Sequence, residues 1–328
     1  MLHVITTDIF DRERLDDLCH LTTVTRRIAR EPDGLRFLQQ LLPVRRAMLY
    51  FTQPSTRTFL SMNNACHILG VRTSEIRNPD VSSEFKGETF EDSIRTFAAY
   101  VDMIIMRTPQ PGYAARAADL MDDMDRRVPV INAGSGKDQH PTQALLDIYT
   151  LERSFRDSGG IEGKTIAMMG DLKRGRTVRS LCRLLRHYKD IHIVFIAAPG
   201  FEMEPDILAY LDDHEISYEQ SDRLDDYLTS LDAIYVTRMQ TEHDTSGESA
   251  RVDLSGYSIG QSQIDRMKPD AVILHPLPRG AEIHPEIDDD PRAAYWRQER
   301  NGLWIRVALI ASVLEASEQI LSAQAKFL

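Results

Sequence analysis

Cysteine is scarce in this chain of 328 residues, which has only Cys19, Cys66 and Cys182. The three are far apart in the sequence, odd in number and without the spacing of metal ligands. Neither a disulfide framework nor a zinc site is therefore indicated. We expect reduced, packed thiols and a cytoplasmic location.

Long apolar runs are also missing. The longest one, around residues 307–314, lies between Arg306 and Glu315 and is too short to cross a bilayer. The opening segment 1–15 carries acidic residues where a secretory signal needs a basic start and an apolar core. We therefore expect neither a membrane span nor a secretory signal.

An excess of positive charge is absent as well, since the net charge is -11. Most of such a surface repels a phosphate backbone or an anionic membrane, so we expect neither as a partner, and any anion site must be local. The acidic stretches 119–125 and 288–290 lack the ligand order and the glycine of a calcium loop. They indicate solvated faces or loops, and we predict no metal.

What the sequence does contain is an alternation of strand-like and helix-like segments, with no low-complexity segment or long linker between them. The chain has 328 residues, 42% of them hydrophobic, and is therefore long enough for two domains that each have a hydrophobic core. The alternation predicts an α/β fold, with two doubly wound parallel-sheet domains. We place one domain at 1–149 together with a C-terminal helix at about 303–328, and the other at 150–302.

The individual elements follow from apolar periodicity. Strands are predicted at 47–51, 71–75, 102–106, 129–132, 165–169, 191–197, 216–219, 233–237 and 271–275. Helices are predicted at 11–19, 56–69, 89–100, 113–123, 142–155, 176–187, 205–213 and 224–230, and an amphipathic closing helix runs from about 302 to 324.

Polar residues stand where the predicted strands end, namely Arg107, Asn132, Asp171, Arg238 and His275. Open α/β sheets bind ligands at the carboxyl ends of their parallel strands. This regularity predicts one ligand site between the two domains.

The segment 51–58, with the sequence FTQPSTRT, joins the first predicted strand of this set to a helix. It places the hydroxyls of Ser55, Thr56 and Thr58 and the guanidinium of Arg57 at a helix start, where unpaired N–H groups and the helix dipole favour an anion. The segment therefore predicts a phosphate cradle. An ordinary Ser/Thr N-cap followed by a surface arginine explains the same residues equally well on physical grounds alone.

Further motifs follow this cradle in a fixed order. They are KGET at 86–89, MR at 106–107, HPTQ at 140–143, GDLKRGRT at 170–177 and HPLPR at 275–279. From about residue 45 to about residue 315 the ordered set resembles the aspartate/ornithine carbamoyltransferase family, and its aspartate branch most closely. The resemblance implies transfer of the carbamoyl group of carbamoyl phosphate to L-aspartate, without a cofactor, in pyrimidine biosynthesis.

The resemblance also implies roles for individual residues. The catalytic residues would be Arg57, Lys86, Arg107 and His140. Carbamoyl phosphate would be bound by Ser55, Thr56, Arg57, Thr58, Ser82, Arg107, His140, Gln143, Pro276 and Leu277. Aspartate would be bound by Lys86, Arg176, Arg238, Gln240 and Leu277. In the family Lys86 reaches the neighbouring subunit's site, which implies a homotrimer with shared sites, and a regulatory or dihydroorotase partner is possible.

Three positions depart from the family pattern. Phe59 and Asn63 stand where the family usually has arginine and glutamate, and Ser135 replaces an acidic residue. Since 59 and 63 are one helical turn apart, their exchange indicates the loss of a supporting ion pair. Two alternatives remain beside the aspartate enzyme: a transcarbamylase for another acidic or related amine, and a non-catalytic homologue that scaffolds a partner enzyme.

Overall fold

A computed structural model describes residues 3–78, 87–240 and 256–327. The chain divides into two compact units, residues 1–145 with 301–328, and residues 146–300. Both divisions fall inside long helices, Pro141–Ser154 and Tyr295–Val313. The boundaries predicted at 149/150 and 302/303 fall inside the same two helices.

The first unit contains a four-stranded parallel sheet. Its strands are β1 (Arg46–Phe51), β2 (Arg72–Ile76), β3 (Met103–Arg107) and β4 (Val130–Asn132), in the order β2-β1-β3-β4. Every residue of β3 is buried, as expected for a strand covered by helices on both faces. The edge strand β2 is largely exposed.

The helices of this unit begin or end near those strands. They are α1 (Arg12–Ile28), α2 (Pro32–Gln39), α3 (Thr56–Ile68), α4 (Phe90–Tyr100), α5 (Tyr113–Asp122) and the start of α6 (Pro141–Ser154). Asp11 caps α1 and Thr89 caps α4, each through a side-chain oxygen that accepts a first-turn N–H. These residues mark where the two helices begin, since such caps satisfy otherwise orphaned donors.

The second unit contains a five-stranded parallel sheet. Its strands are β5 (Thr165–Met169), β6 (His192–Ile196), β7 (Ser217–Ser221), β8 (Ala233–Val236) and β9 (Val272–Leu274), in the order β7-β6-β5-β8-β9. The strand order reverses between β5 and β8, which is the place where doubly wound sheets open a crevice for ligands. The predicted α/β class with two parallel sheets is confirmed.

The remaining helices are α7 (Arg176–Leu185), α8 (Pro205–Asp213), α9 (Gln261–Ile264), α10 (Tyr295–Val313), α11 (Ser317–Ser322) and α12 (Gln324–Phe327). Within the described ranges, none of the helices combines the length and the apolar character that a membrane crossing requires.

Three predicted helices were wrong in extent or type. The helix predicted at 11–19 continues to Ile28. The helix predicted at 224–230 is only a 3-10 turn over Leu224–Asp226. The closing helix begins at Tyr295 and ends at Val313, because Glu315 adopts φ 61°, which a right-handed helix cannot accommodate.

Candidate active site

The predicted anion cradle lies at the carboxyl end of β1 and the start of α3. Ser55 precedes the helix in an extended conformation, and its side chain makes no capping hydrogen bond. Thr56 and Arg57 are exposed, whereas Thr58 is buried. The Ser55 hydroxyl therefore does not satisfy the first-turn N–H groups, which argues against the simple N-cap interpretation and suits an incoming anion.

Arg107 ends β3 beside this cradle. It pairs with Phe51 of β1, and its carbonyl oxygen accepts the Gln53 N–H at 3.1 Å. Arg107 is only 9% exposed, and one terminal nitrogen of its guanidinium donates to the Ala133 carbonyl at 3.2 Å. The positive charge of Arg107 is thus nearly buried. The backbone of Arg107 is held by pairing with β1, and its side chain is held by the hydrogen bond to the loop after β4.

Asn132 ends β4 and organises the loop that leads to α6. Its side-chain oxygen accepts the N–H groups of Gly134 and Ser135, each at 2.9 Å. Its side-chain nitrogen donates to the carbonyls of Ile5 and Gln139 at 3.0 and 3.1 Å. Both donors and both acceptor positions of this amide are used, so the loop is fixed from within.

The His140 imidazole packs against Gly134 of that loop. Gly134 has φ +94°, and a Cβ added to it would lie 2.5 Å from His140 Cδ2. The His140 carbonyl accepts the N–H groups of Gln143 and Ala144, which begins α6. His140 is 4% exposed and Gln143 is 7% exposed, so both side chains are held by packing before any ligand arrives.

Strand order brings these groups together. Because β1, β3 and β4 are neighbours in a parallel sheet, the cradle, Arg107 and the loop carrying His140 lie at one edge of that sheet. Among the described residues of the first unit, the side chains predicted to contact the phosphate and the carbamoyl oxygen therefore lie at the same edge of the sheet. Ser82 and Lys86 belong to residues 79–86, which lie outside the described residues.

In the second unit the predicted aspartate-binding residues follow β5 and β8. Arg176 is the first residue of α7, and Arg238 and Gln240 lie in the segment that follows β8. Both arginines are partly buried. Arg176 thus places a cation at a helix N-terminus, against the helix dipole.

A buried carboxylate, Asp171, joins the loops after β5 and β8. One of its oxygens accepts the Arg174 N–H at 3.1 Å, and the other accepts the Gln240 N–H at 3.1 Å. The Arg174 guanidinium donates to the Gln240 carbonyl at 3.2 Å. Sequence reasoning found Asp171 as a strand-end residue but missed Arg174, whose partner lies 66 residues away.

The HPLPR segment forms a turn after β9, built on the His275 ring. His275 Nδ1 accepts the Leu277 N–H at 2.8 Å, so the ring proton is on Nε2, which donates to Glu282 at 2.8 Å. Burial disfavours the charged form of Glu282, but hydrogen bonds, the one with His275 first, outweigh burial and hold the pKa of Glu282 below its usual value. The turn is thus fastened by a neutral imidazole and a carboxylate.

Every backbone N–H donor from His275 to Pro278 is engaged. The His275 N–H donates to the Gln298 side-chain oxygen at 2.9 Å, and the Leu277 N–H is taken by the imidazole. The two prolines have no N–H. Carbonyl oxygens are therefore the only backbone groups that this segment can offer, and they suit a ligand with N–H donors.

The acidic triplet 288–290 lies in a turn, as expected, but Asp288 and Asp290 are only partly exposed and each is paired with an arginine. Asp288 accepts hydrogen bonds from both terminal nitrogens of Arg279 and from the Tyr295 hydroxyl. Asp290 is paired with Arg292 in the same way. The hydrogen bonds from these arginines lower the pKa of both carboxyls. In the described part of the chain, no three His, Cys, Asp or Glu side chains are grouped to hold a metal ion.

The departures on α3 do not leave the cradle without support. Phe59 is 4% exposed and packs edge-on to Phe51 with ring centroids 5.4 Å apart. The guanidinium carbon of Arg77 lies 4.2 Å from the Phe59 ring centroid. Asn63 accepts a hydrogen bond from the Thr73 hydroxyl at 2.9 Å. Aromatic packing, a cation–π contact and a neutral hydrogen bond take the place of the supporting ion pair whose loss the sequence indicated.

Ser135, the third departure, is fully buried. Its hydroxyl oxygen accepts the Thr108 N–H at 3.1 Å, which ties the loop after β4 to the end of β3. A hydroxyl fills this acceptor role without adding a buried negative charge near Arg107.

Two family models match successive parts of the chain. The model of the aspartate/ornithine carbamoyltransferase carbamoyl-P binding domain matches residues 2–153, and that of the Asp/Orn binding domain matches residues 162–313. Aspartate carbamoyltransferase 1, chloroplastic, of Pisum sativum is 40% identical over 95% of this chain and 78% of its own length. The catalytic subunit from Thermoplasma acidophilum is 39% identical over 80% of this chain and 83% of its own.

Solved structures agree. Aspartate transcarbamoylase from Trypanosoma cruzi, in complex with carbamoyl phosphate and aspartate, has a TM-score of 0.84 at 33% identity and covers 95% of this chain and 96% of that one. The catalytic subunit from M. Jannaschii also has a TM-score of 0.84 at 33% identity, with 97% and 99% covered. These matches confirm the resemblance carried by the ordered motifs. The chain belongs to the aspartate/ornithine carbamoyltransferase family.

Proposed function

We propose that this protein is an aspartate carbamoyltransferase. The amine of L-aspartate attacks the carbamoyl carbon of carbamoyl phosphate, the bond from that carbon to the phosphate oxygen breaks, and the amine loses a proton. The products are N-carbamoyl-L-aspartate and phosphate. The observation that carries the proposal is the meeting of a helix start, buried Arg107 and packed His140 at one edge of the first sheet.

Phosphate is the leaving group, so its growing charge must be stabilised. The start of α3 offers N–H groups, and Arg57 and Arg107 offer guanidiniums that can contact the phosphate through two nitrogens each. Ser55, Thr56 and Thr58 add hydroxyl donors. This assignment places two guanidiniums on the leaving-group side, where negative charge develops during the reaction.

The carbamoyl group needs a donor for its oxygen and acceptors for its nitrogen. His140, held against Gly134, donates to the carbonyl oxygen as that oxygen gains charge in the transition state. Gln143 and the carbonyls of Pro276 and Leu277 accept the carbamoyl N–H bonds. The engaged N–H groups of the 275–278 turn support this part of the proposal, because such a turn would repel phosphate and attract an N–H donor.

Aspartate carries two carboxylates, and we assign them to Arg176 and Arg238. Gln240 and Leu277 complete the acceptor contacts, with Lys86 as a further cation. Two guanidiniums attract a dicarboxylate and repel the cationic side chain of ornithine. The complexes of the Trypanosoma cruzi protein with carbamoyl phosphate and aspartate support the same pair of substrates. The prediction that both domains contribute to one site is part of this proposal.

Phosphate release with a panel of amine acceptors tests the assignment. We expect turnover with carbamoyl phosphate and L-aspartate, none with L-ornithine, and competition by succinate against aspartate. A better rate with another amine would assign the protein to a different acceptor within the family. No phosphate release with any acceptor would favour the scaffold alternative.

We further propose that the protein is a homotrimer whose sites are completed by Lys86 of a neighbouring chain, and that it works in cytoplasmic pyrimidine biosynthesis. Cys66 and Cys182 are buried, and burial raises the pKa of both thiols to about 12, which makes them unreactive packed thiols. Inactive Lys86→Ala and Arg57→Ala chains should restore activity when mixed into hybrids. No restored activity among proven hybrids would contradict shared sites.

Regulatory or dihydroorotase partners stay a prediction. The Multifunctional protein CAD of Squalus acanthias is 36% identical over 95% of this chain, and the match spans 13% of that protein. Relatives of this chain therefore occur within much longer proteins, which supports a search for partners by co-purification.

A further inference from the structure

Asp147 is a fully buried carboxylate on α6, one helical turn after Gln143. One of its oxygens accepts a hydrogen bond from the Gln298 side-chain nitrogen at 2.6 Å. The other accepts the Tyr235 hydroxyl at 2.9 Å. A buried carboxylate is strongly destabilising unless it is hydrogen bonded, so these two contacts are firm constraints on their donors.

The carboxylate sets the orientation of the Gln298 amide. Both Asp147 oxygens accept hydrogen bonds, one from the Tyr235 hydroxyl and one from Gln298 Nε2, so the NH2 end of Gln298 faces Asp147. Its oxygen must then face the opposite way, where it accepts the His275 N–H at 2.9 Å. Asp147 therefore acts on the backbone of His275 through one intervening side chain.

From His275 the hydrogen bonds continue into the turn. The imidazole holds the Leu277 N–H on one side and Glu282 on the other, and Glu282 also accepts the Gly280 N–H at 2.7 Å. Leu277 has φ +52°, a conformation that non-glycine residues adopt only when their surroundings impose it. The buried network supplies such an imposed geometry.

We propose that Asp147 and Gln298 are positioning residues that hold the 275–278 turn so that only its carbonyl oxygens meet the carbamoyl NH2 group. The inference rests on the proposed function and deepens it, because it names the residues that make this turn select an N–H donor. Neither side chain touches the substrate, and both act through His275.

The network itself contains a matched control. Tyr235 donates to the same carboxylate as Gln298 and is equally buried, but it is Gln298 whose side-chain oxygen accepts the His275 N–H. A purely structural role of the network predicts similar effects for Tyr235→Phe and Gln298→Met. A positioning role predicts a kinetic effect for Gln298→Met alone.

The test measures kcat, both KM values and urea unfolding for the full chain and the two variants. We expect Gln298→Met to lower kcat/KM for carbamoyl phosphate about tenfold, the order of one or two lost hydrogen bonds, with the aspartate KM within about twofold of its original value. Tyr235→Phe should reduce stability and leave both KM values unchanged. Equal kinetic effects of the two variants would overturn the proposal.

Hydrogen exchange separates this inference from the proposed function, because it needs no turnover. In Gln298→Met the amides of His275 and Leu277 should exchange faster, while those of β5 keep their protection. Unchanged exchange at 275 and 277 would overturn the positioning role even in an active enzyme. If Gln298→Met does not fold, Asp147→Asn serves as the second variant, since a carboxamide has only one acceptor oxygen for the two donors.

Discussion

Replacing Gly134 by alanine tests whether the loop after β4 controls the position of His140. Gly134 has φ +94°, and the new Cβ would lie 2.5, 2.8 and 2.9 Å from Cδ2, Nε2 and Cγ of His140. Since non-bonded carbon atoms normally stay about 3.5–4.0 Å apart, the imidazole or the loop must move by about 1 Å. The substitution therefore displaces a group that we assign to the reacting carbonyl.

The expected loss has two parts. A left-handed conformation costs alanine about 1–2 kcal/mol, and the overlap with the imidazole adds about 1–3 kcal/mol of overpacking. A misplacement of about 1 Å in a catalytic group lowers the rate on the order of a hundredfold. We expect kcat to fall by that factor while the aspartate KM changes little, because His140 serves the carbamoyl group.

Gly159 provides the matched control. It has φ +91°, and no atom of the described residues lies within 4 Å of a Cβ built on it. Gly159→Ala should show the conformational part of the stability loss and full activity. Phosphate release at saturating substrates gives kcat, and urea denaturation gives the free energy of unfolding. The reasoning is refuted if Gly134→Ala keeps kcat within about threefold, or if Gly159→Ala lowers kcat as much.

Four further predictions follow from the same geometry. Arg57→Ala should lower kcat about a hundredfold or more and leave thermal unfolding unchanged, since Arg57 is exposed and serves charge that grows in the transition state; near-normal turnover would remove Arg57 from the mechanism. Arg238→Ala should raise the aspartate KM about tenfold or more and leave the carbamoyl phosphate KM unchanged in steady-state assays, because one charge-assisted contact is lost; the opposite pattern would contradict the assignment. Asp288→Asn should destabilise the protein above pH 3.8, the ordinary pKa of an aspartate carboxyl, because the Arg279 hydrogen bond lowers the pKa of Asp288 in the folded state. The stability that this hydrogen bond contributes disappears as the pH falls through the lowered pKa. A difference in unfolding free energy that stays constant from pH 7 to below pH 3 would be inconsistent with this reasoning. Phe59→Leu should lower the free energy of unfolding by about 1–2 kcal/mol through lost packing and the lost Arg77 contact, whereas Tyr100→Leu at a position 66% exposed should change it little; equal losses in urea denaturation would show that Phe59 is not a core residue.

Element type was readable from the sequence wherever apolar periodicity was strong. The strand predicted at 165–169 and the helix predicted at 205–213 match β5 and α8 residue for residue. Periodicity misled at 224–230, where Leu224 and Leu228 have helical spacing and are buried, but the backbone forms only a 3-10 turn. The spacing of apolar residues shows which residues are buried, whereas the backbone hydrogen bonds determine whether the segment is a helix.

Side-chain partners were much harder to predict. The sequence suggested that positions 59 and 63 had lost an ion pair, but it gave no sign that Arg77 and Thr73 would contact them instead. It also suggested solvated carboxyls at 288–290, since the arginines that bind them lie outside the triplet. In both cases the contact depends on how the folded chain brings the two residues together, and the local sequence does not show this.

The sequence by itself determined the family, the α/β class and the strand-end location of the candidate residues, because these follow from local periodicity, motif order and the common direction of parallel strands. Only the tertiary structure decided which buried groups meet. Asp147 and Gln298 are 151 residues apart, and Gln298 and His275 are 23 apart. Their hydrogen bonds exist because Asp147, Gln298 and His275 are all buried within the second unit, and buried polar groups must find partners among themselves.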